Sequence, residues 1–240
     1  ITVRDPSYPK HVPIVRMFTP ESAQHMADHV LMCALMATRH FPKAIHQQAT
    51  KQWHTYETPA IASQVTVGIM GLGNLGLSTA QHLHQAGFRL IGWSRSPKTV
   101  DFMTSYAGDE ELGAFLQQTQ ILISLLPQTA QTHHILNQDT LAQLPQGASV
   151  INVGRGGHID TDALQAALDS NHLHYAFLDV FEEEPLAPTS WLWSHQRVIV
   201  TPHVAANAPR AARIRYVCKQ IKKHENGQQM DNIYHPDRGY

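Results

Sequence analysis

Residues 65–76 read VTVGIMGLGNLG. Val65–Met70 is an apolar run of strand length, and Leu75–Gln85 carries apolar residues at helical spacing until Gly87 closes it. Between them, Gly71, Gly73 and Gly76 fit G-x-G-x-x-G in the strand–turn–helix setting that the motif requires. Chemistry explains the spacing. Gly71 allows the tight turn. Gly73 has no Cβ, so the backbone there can come close to a pyrophosphate. Gly76 lets the helix lie near the strand. The helix start, at Asn74 and Leu75, then turns N–H groups and a positive dipole end toward the phosphates. The plainer reading of these residues is a glycine-rich turn that binds nothing.

Working outward, the same alternation repeats. Strands are expected at Phe88–Trp93, Ile121–Leu126, Ser149–Val153, His174–Val180 and Val198–Thr201, and helices at Asp109–Thr119, Asp139–Leu144 and Thr161–Asp169. This predicts an α/β fold with a doubly wound parallel sheet, a Rossmann domain. Upstream, Thr19-Pro20-Glu21 reads as a helix start, followed by Met26, Val30, Cys33, Ala34, Ala37 and Phe41 at helical spacing toward Pro42 and on to Trp53. A last helix runs from Pro209 to about His224.

The end of the second strand selects the cofactor. NAD enzymes place an acid there, about 20 residues beyond the glycines, to bind the ribose 2′-hydroxyl. Here the chain reads Gly92-Trp-Ser94-Arg95-Ser96-Pro-Lys98, with no acid before Asp101. Arg95 can grip a 2′-phosphate bidentately, and Ser94 and Ser96 can donate hydrogen bonds to it. NADP is therefore expected in preference to NAD. A basic surface turn is the competing reading.

Composition narrows the class. The 240 residues are 42% hydrophobic and 15% charged, with 18 Lys and Arg against 19 Asp and Glu. Such a chain can bury a core, and no field of one sign points to nucleic acid or an anionic membrane. No run approaches the ~20 apolar residues of a membrane span. The two cysteines, Cys33 and Cys218, suggest no disulfide framework. With no targeting segment read at the start, a cytoplasmic protein is expected. The 17 histidines include the pairs His133-His134, His82-x-His84 and His172-x-His174. Zinc needs three or four convergent ligands. These pairs are scattered and no HExxH or CxxC accompanies them, so no metal site is expected and nearly all of the histidines are expected at the surface.

Three later segments put polar groups at predicted strand ends, where open α/β sheets bind ligands. They are Ile151-Asn-Val153-Gly154-Arg155-Gly-Gly157, Leu178-Asp179-Val-Phe-Glu182-Glu-Glu184-Pro-Leu186 and Val200-Thr-Pro-His203-Val-Ala-Ala206. With the glycine motif ahead of them, this ordered set resembles the D-isomer-specific 2-hydroxyacid dehydrogenase family. The Trp93–Ser96 turn and the terminal Asp237-Arg-Gly-Tyr240 resemble its glyoxylate/hydroxypyruvate reductase A branch.

The resemblance places the family's catalytic residues on Arg155, Glu184 and His203, and implies reduction of a small 2-keto acid to a D-2-hydroxy acid. Their chemistry suits that task. Arg155 offers a planar fork to a carboxylate. His203 has an intrinsic pKa near working pH and suits the proton donor. Glu184 would orient the imidazole and stabilise its charged form, raising its pKa. Choosing Glu184 over Glu182 and Glu183 rests on the resemblance alone. The resemblance also makes Leu126, Pro127, Thr132, Val153 and Gly154 cofactor contacts, although the 127–132 loop reads equally as a Pro-led turn capped by threonines. Asp179 is either a hydrogen-bonding group near the nicotinamide or a structural cap. Trp191 and Trp193 wall the substrate pocket or belong to a core or interface.

The family's two-domain plan implies that residues 1–11 are a remnant or linker of a substrate domain. Residues 12–206 are then the NAD(P)-binding domain, and 207–240 return to the substrate domain. The chain, which starts at Ile1, accordingly reads as a truncated two-domain reductase. The Thr19–Trp53 segment is expected to make a homodimer, or to pack within its own chain. Two other functions compete: a dehydrogenase of a bulkier 2-keto acid, and a catalytically silent nucleotide-binding interaction module.

Overall fold

The computed structural model describes residues 11–57 and 60–235. In chain order the elements are α1 (Pro20–Thr38), α2 (Phe41–Ala49), β1 (Thr66–Met70), α3 (Asn74–Gln85), β2 (Arg89–Ser94), β3 (Thr104–Ala107) and α4 (Gly108–Leu116). There follow β4 (Ile121–Ser124), α5 (Gln138–Leu141), β5 (Ala148–Asn152), α6 (Thr161–Asp169), β6 (Leu173–Leu178), β7 (Val198–Val200) and α7 (Arg210–Glu225). The expected strands all form. β3 was not expected: Thr104-Ser-Tyr-Ala has neither an apolar run nor alternation, and it forms because the edge of β2 supplies its hydrogen-bond partners.

The seven strands make one parallel sheet in the order β3-β2-β1-β4-β5-β6-β7. The chain winds outward from β1 in one direction and from β4 in the other, so strand order reverses between these two. Such a reversal opens a crevice at the carboxyl ends. The register aligns those ends. Met70 pairs with Trp93 and Ser124, Ser124 with Asn152, Asn152 with Leu178, and Leu178 with Val200. The residues that follow each strand therefore lie along a single edge.

Strand periodicity divides the core between the two faces. Val67, Ile69, Ile121, Ile123, Ile151, Tyr175 and Phe177 pack with Ala80 and Leu83 of α3. Met26, Val30, Cys33, Ala34 and Ala37 of α1 join them, so this stripe packs within its own chain. Met70, Leu122, Val150, Ala176 and Leu178 face α4, α5 and α6 through Phe115, Leu116, Leu141, Leu164 and Leu168. Each fully buried large side chain contributes roughly 1.5–3 kcal/mol. Caps set the helix starts. Ser22 N–H donates to Thr19 Oγ1 at 3.0 Å, and Asp160 accepts from Asp162 and Ala163 N–H at 3.0 and 3.1 Å.

The chain divides into two compact units, one of them Ala23–Asn207. The other joins the described residues up to Ser22 with those from Ala208 on. In that unit Val15 bridges Ile233 and Tyr234 N–H donates to Ile14 O at 2.8 Å. Tyr216 Oη donates to Arg16 O at 3.1 Å and Arg215 pairs with Glu21 at 2.7 Å in the same unit. Residues 1–10 and the Asp237–Tyr240 motif lie outside the described residues. Among the described residues no helix is long and apolar enough to cross a membrane. Cys33 and Cys218 are free thiols, and burial first, then the Asp179 charge, pushes Cys33 up to about 12.

Candidate active site

The glycine turn sits where β1 meets α3. Gly71 has φ +104°, and a Cβ there would approach the Leu125 carbonyl oxygen to 2.7 Å. A Cβ on Gly76 would lie 1.9 Å from the Gly71 carbonyl oxygen, so α3 presses on the turn itself more closely than on the strand. Gly73 differs. Alone among the described glycines it has an ordinary φ and no protein atom within 4 Å of where its Cβ would be. Neither the backbone nor the packing of this chain requires glycine there. It is the N-cap of α3, with no side-chain capping bond. The space beside it is a cradle that a side chain would fill, which fits a phosphate-bearing cofactor.

At the end of β2, Ser94 is 8% exposed, and its Oγ donates to Ser96 O at 2.8 Å. Ser94 thus shapes the turn, while Arg95 and Ser96 face solvent. Across the crevice, Thr132 Oγ1 donates to Pro127 O at 2.7 Å and accepts from Thr129 N–H at 2.9 Å. The threonine holds the loop after β4, and Leu126 is buried beneath it.

The loop after β5 is bound down from within. Asn152 Nδ2 donates to Arg155 O at 2.9 Å, and its Oδ1 accepts from Gly154 N–H at 3.2 Å. Val153 and Gly154 are buried, whereas Arg155 is exposed and its Nη1 donates to Gly154 O at 2.6 Å. A Cβ on Gly156 would lie 1.8 Å from the Phe181 carbonyl carbon, so this loop presses directly on the loop after β6.

One histidine of this network is an exception to the expectation that nearly all lie at the surface. His158 is completely buried. Its Nδ1 accepts from Arg155 N–H at 3.3 Å and lies 3.0 Å from Ser124 Oγ. Its Nε2 lies 3.3 Å from Pro127 O. An Nδ1 that accepts leaves the proton on Nε2, so the neutral ring ties the carboxyl ends of β4 and β5 together. Burial, with smaller contributions from Arg155 and His133, outweighs the Pro127 hydrogen bond and lowers its pKa to about 4. The sequence signal available was its place three residues after Arg155.

His203 and Glu184 meet, with Glu184 Oε2 2.8 Å from His203 Nδ1. Glu184 Oε1 accepts from Phe181 N–H at 3.0 Å, which fixes the carboxylate on its own turn. Burial raises the Glu184 pKa, but the His203 and Phe181 hydrogen bonds and the charges of His203 and Arg155 together hold it below the ordinary value. His203 stands at φ 55°, a region costly for a side-chain-bearing residue. Asp179, 1% exposed, holds it there. The Asp179 carbonyl accepts from His203 N–H at 2.9 Å, and its carboxylate accepts from Thr201 Oγ1, Val204 N–H and Ala205 N–H at 2.6–2.9 Å.

Geometry separates the three glutamates. Glu184 goes to His203, and Glu182 turns to His133 and His134 at 3.2 and 3.6 Å. The histidine pairs were expected to stay scattered, yet this one gains an acidic partner across the fold. Trp193 is 53% exposed with its indole N–H on Ala187 O at 3.0 Å, and Trp191 packs edge-on to His195.

A family model described as D-isomer specific 2-hydroxyacid dehydrogenase, NAD binding domain, matches residues 31–205. Glyoxylate/hydroxypyruvate reductase A of Yersinia enterocolitica is 40% identical over 232 residues, covering 97% of this chain and 74% of that protein. An NADPH-dependent glyoxylate/hydroxypyruvate reductase from Sinorhizobium meliloti, solved with NADP and sulfate, superposes with a TM-score of 0.94 at 36% identity, over 99% of this chain and 76% of that one. A D-isomer specific 2-hydroxyacid dehydrogenase from Xanthobacter autotrophicus Py2, solved with NADPH and MES, gives 0.93 at 39% identity, over 99% and 98%.

Proposed function

The chain belongs to the D-isomer-specific 2-hydroxyacid dehydrogenase family, and from that premise we propose that it reduces a small 2-keto acid of the glyoxylate or hydroxypyruvate type to the D-2-hydroxy acid with NADPH. The observation that carries the reading is the Glu184–His203 pair at the carboxyl edge of the sheet. Gly71, Gly73, Asn74, Leu75 and Gly76 would hold the pyrophosphate, and Arg95 and Ser96 the 2′-phosphate. Leu126, Pro127, Thr132, Val153 and Gly154 would border the rest of the cofactor. When bound, the nicotinamide supplies the hydride. Relatives solved with NADP or NADPH support this choice of cofactor.

The chain's own residues supply binding and proton transfer. Arg155 pairs with the substrate carboxylate through its guanidinium. Glu184 accepts the Nδ1 proton of His203, which leaves Nε2 as the nitrogen that gives a proton to the substrate oxygen. Asp179 acts by positioning the His203 loop.

The test is oxidation of NADPH by the purified chain with glyoxylate or hydroxypyruvate, beside His203→Ala. Wild-type turnover that falls about 10²-fold or more in the variant, with NADPH affinity kept, supports the reading. NADPH binding without turnover on any 2-keto acid would overturn it in favour of a nucleotide-binding module. We further propose a homodimer through the outward residues of α1 and α2, where Met32, Leu35, Phe41 and Ile45 are 42–51% exposed. Light scattering at the monomer mass would reject that.

A further inference from the structure

His133 and His134 lie in the loop after β4, and Glu182 lies in the loop after β6, 49 residues from His133. Each offers one ligand atom, and the three atoms lie within 4.8 Å of one another. Among the described residues no other three His, Cys, Asp or Glu side chains converge in this way. The two imidazoles stack, with centroids 4.0 Å apart and planes 23° apart. His133 Nε2 is 3.2 Å from Glu182 Oε1, and His134 Nε2 is 3.6 Å from Glu182 Oε2.

Those separations have a simple geometric meaning. Zinc bonds to imidazole nitrogen and carboxylate oxygen are about 2.0–2.2 Å long, and two ligands across a tetrahedral angle then stand about 3.3 Å apart. The observed distances bracket that value. A second observation is independent of spacing: His134 Nε2 is shielded from solvent and has no hydrogen-bond partner. An imidazole nitrogen shielded in this way costs free energy unless something accepts its lone pair or its proton.

We infer that His133, His134 and Glu182 form a binding site for a divalent transition-metal ion of the zinc type, separate from the reduction chemistry. Two imidazoles and one carboxylate suit zinc or cobalt rather than magnesium or calcium, which take oxygen ligands. Water completes the coordination. His134 N–H donates to Gly157 O at 2.8 Å, so the ion joins the loop behind Arg155 to the loop that bears Glu184 two residues further on. A bound ion would therefore staple the two segments that carry the site described above.

The test uses metal-free protein and the metals alone. Co²⁺ titration, read by its visible ligand-field absorption and reversed by Zn²⁺, is expected to show one site per chain. His134→Ala and Glu182→Gln should each weaken it tenfold or more, while His82→Ala leaves it unchanged. Zn²⁺ should also raise the thermal midpoint of the wild type and not of the two variants, because only the wild type gains binding free energy in the folded state. Melts without metal check that the variants fold, and either variant alone decides the question. Equal Co²⁺ affinity in wild type and variants, or loss of the site in His82→Ala instead, would overturn the assignment.

Discussion

The main-chain N–H of His203 is held by the carbonyl of Asp179 at 2.9 Å, while the Asp179 carboxylate takes three further donors from residues 201–205. A buried strand-end carboxylate thus holds His203 in the left-handed backbone region in which it faces Glu184.

Asp179→Ala should therefore damage both stability and activity. It leaves the buried Ala205 N–H and two part-buried donors without their acceptor, at a cost of about 1–3 kcal/mol for a buried group left unpaired and less for the others. Urea unfolding is expected to lose at least about 2 kcal/mol in total, with turnover falling more steeply than NADPH affinity. An unchanged urea midpoint would refute the positioning role.

The carboxyl of Glu184 lies below its ordinary value of 4.5 because the His203 and Phe181 hydrogen bonds and the nearby charges together outweigh burial. Its folded pKa is depressed, so its contribution to the pair is whole above pH 4.5 and is lost only as pH falls below that. Protonation of Glu184 should then add no limb to the rate profile at neutral pH. Glu184→Gln keeps an acceptor and removes the charge. We expect kcat to drop about 10²-fold with little change in NADPH affinity. A variant with wild-type kcat would count against the pair.

Gly73 and Arg95 separate cofactor binding from folding. Gly73→Ala meets no protein atom, so stability should change by less than about 1 kcal/mol, while NADPH affinity falls at least tenfold. Arg95→Asp should weaken NADPH far more than NADH, because a carboxylate repels the 2′-phosphate and accepts from a 2′-hydroxyl. Equal losses for the two cofactors would sink the NADP reading. Thermal melts and fluorescence titration check both variants.

His158 and His174 are each held neutral in the fold, with burial the largest cause and pKa values lowered to about 4. The unfolded chain protonates both near 6.5. Stability is therefore full above pH 6.5 and falls as pH drops from there toward 4. Each group contributes at most about 1.4 kcal/mol per pH unit in that window. Denaturation at several pH values should show a shallower acid slope in His158→Gln than in wild type. Identical slopes would contradict the buried neutral ring.

The sequence by itself determined the α/β alternation, the nucleotide turn and the strand-end placement of Arg155 and His203. Apolar runs of strand length, helical periodicity and glycine spacing are local signals, each contained within about 20 residues. The loops that must carry chemistry in such a sheet follow from the alternation alone. Family resemblance supplied the choice of Glu184, which the run Glu182–Glu184 does not reveal.

Only the tertiary structure decided which polar groups meet. It turned Glu184 to His203 and Glu182 to His133 and His134, buried His158 beneath the Arg155 loop, and placed Asp179 under residues 201–205. It also made β3 from four residues with no strand pattern of their own. The physical reason is shared. These contacts join segments brought together by the register of a parallel sheet, and that register depends on the packing of both faces at once. A short polar side chain therefore carries no mark in the sequence of the partner it will find.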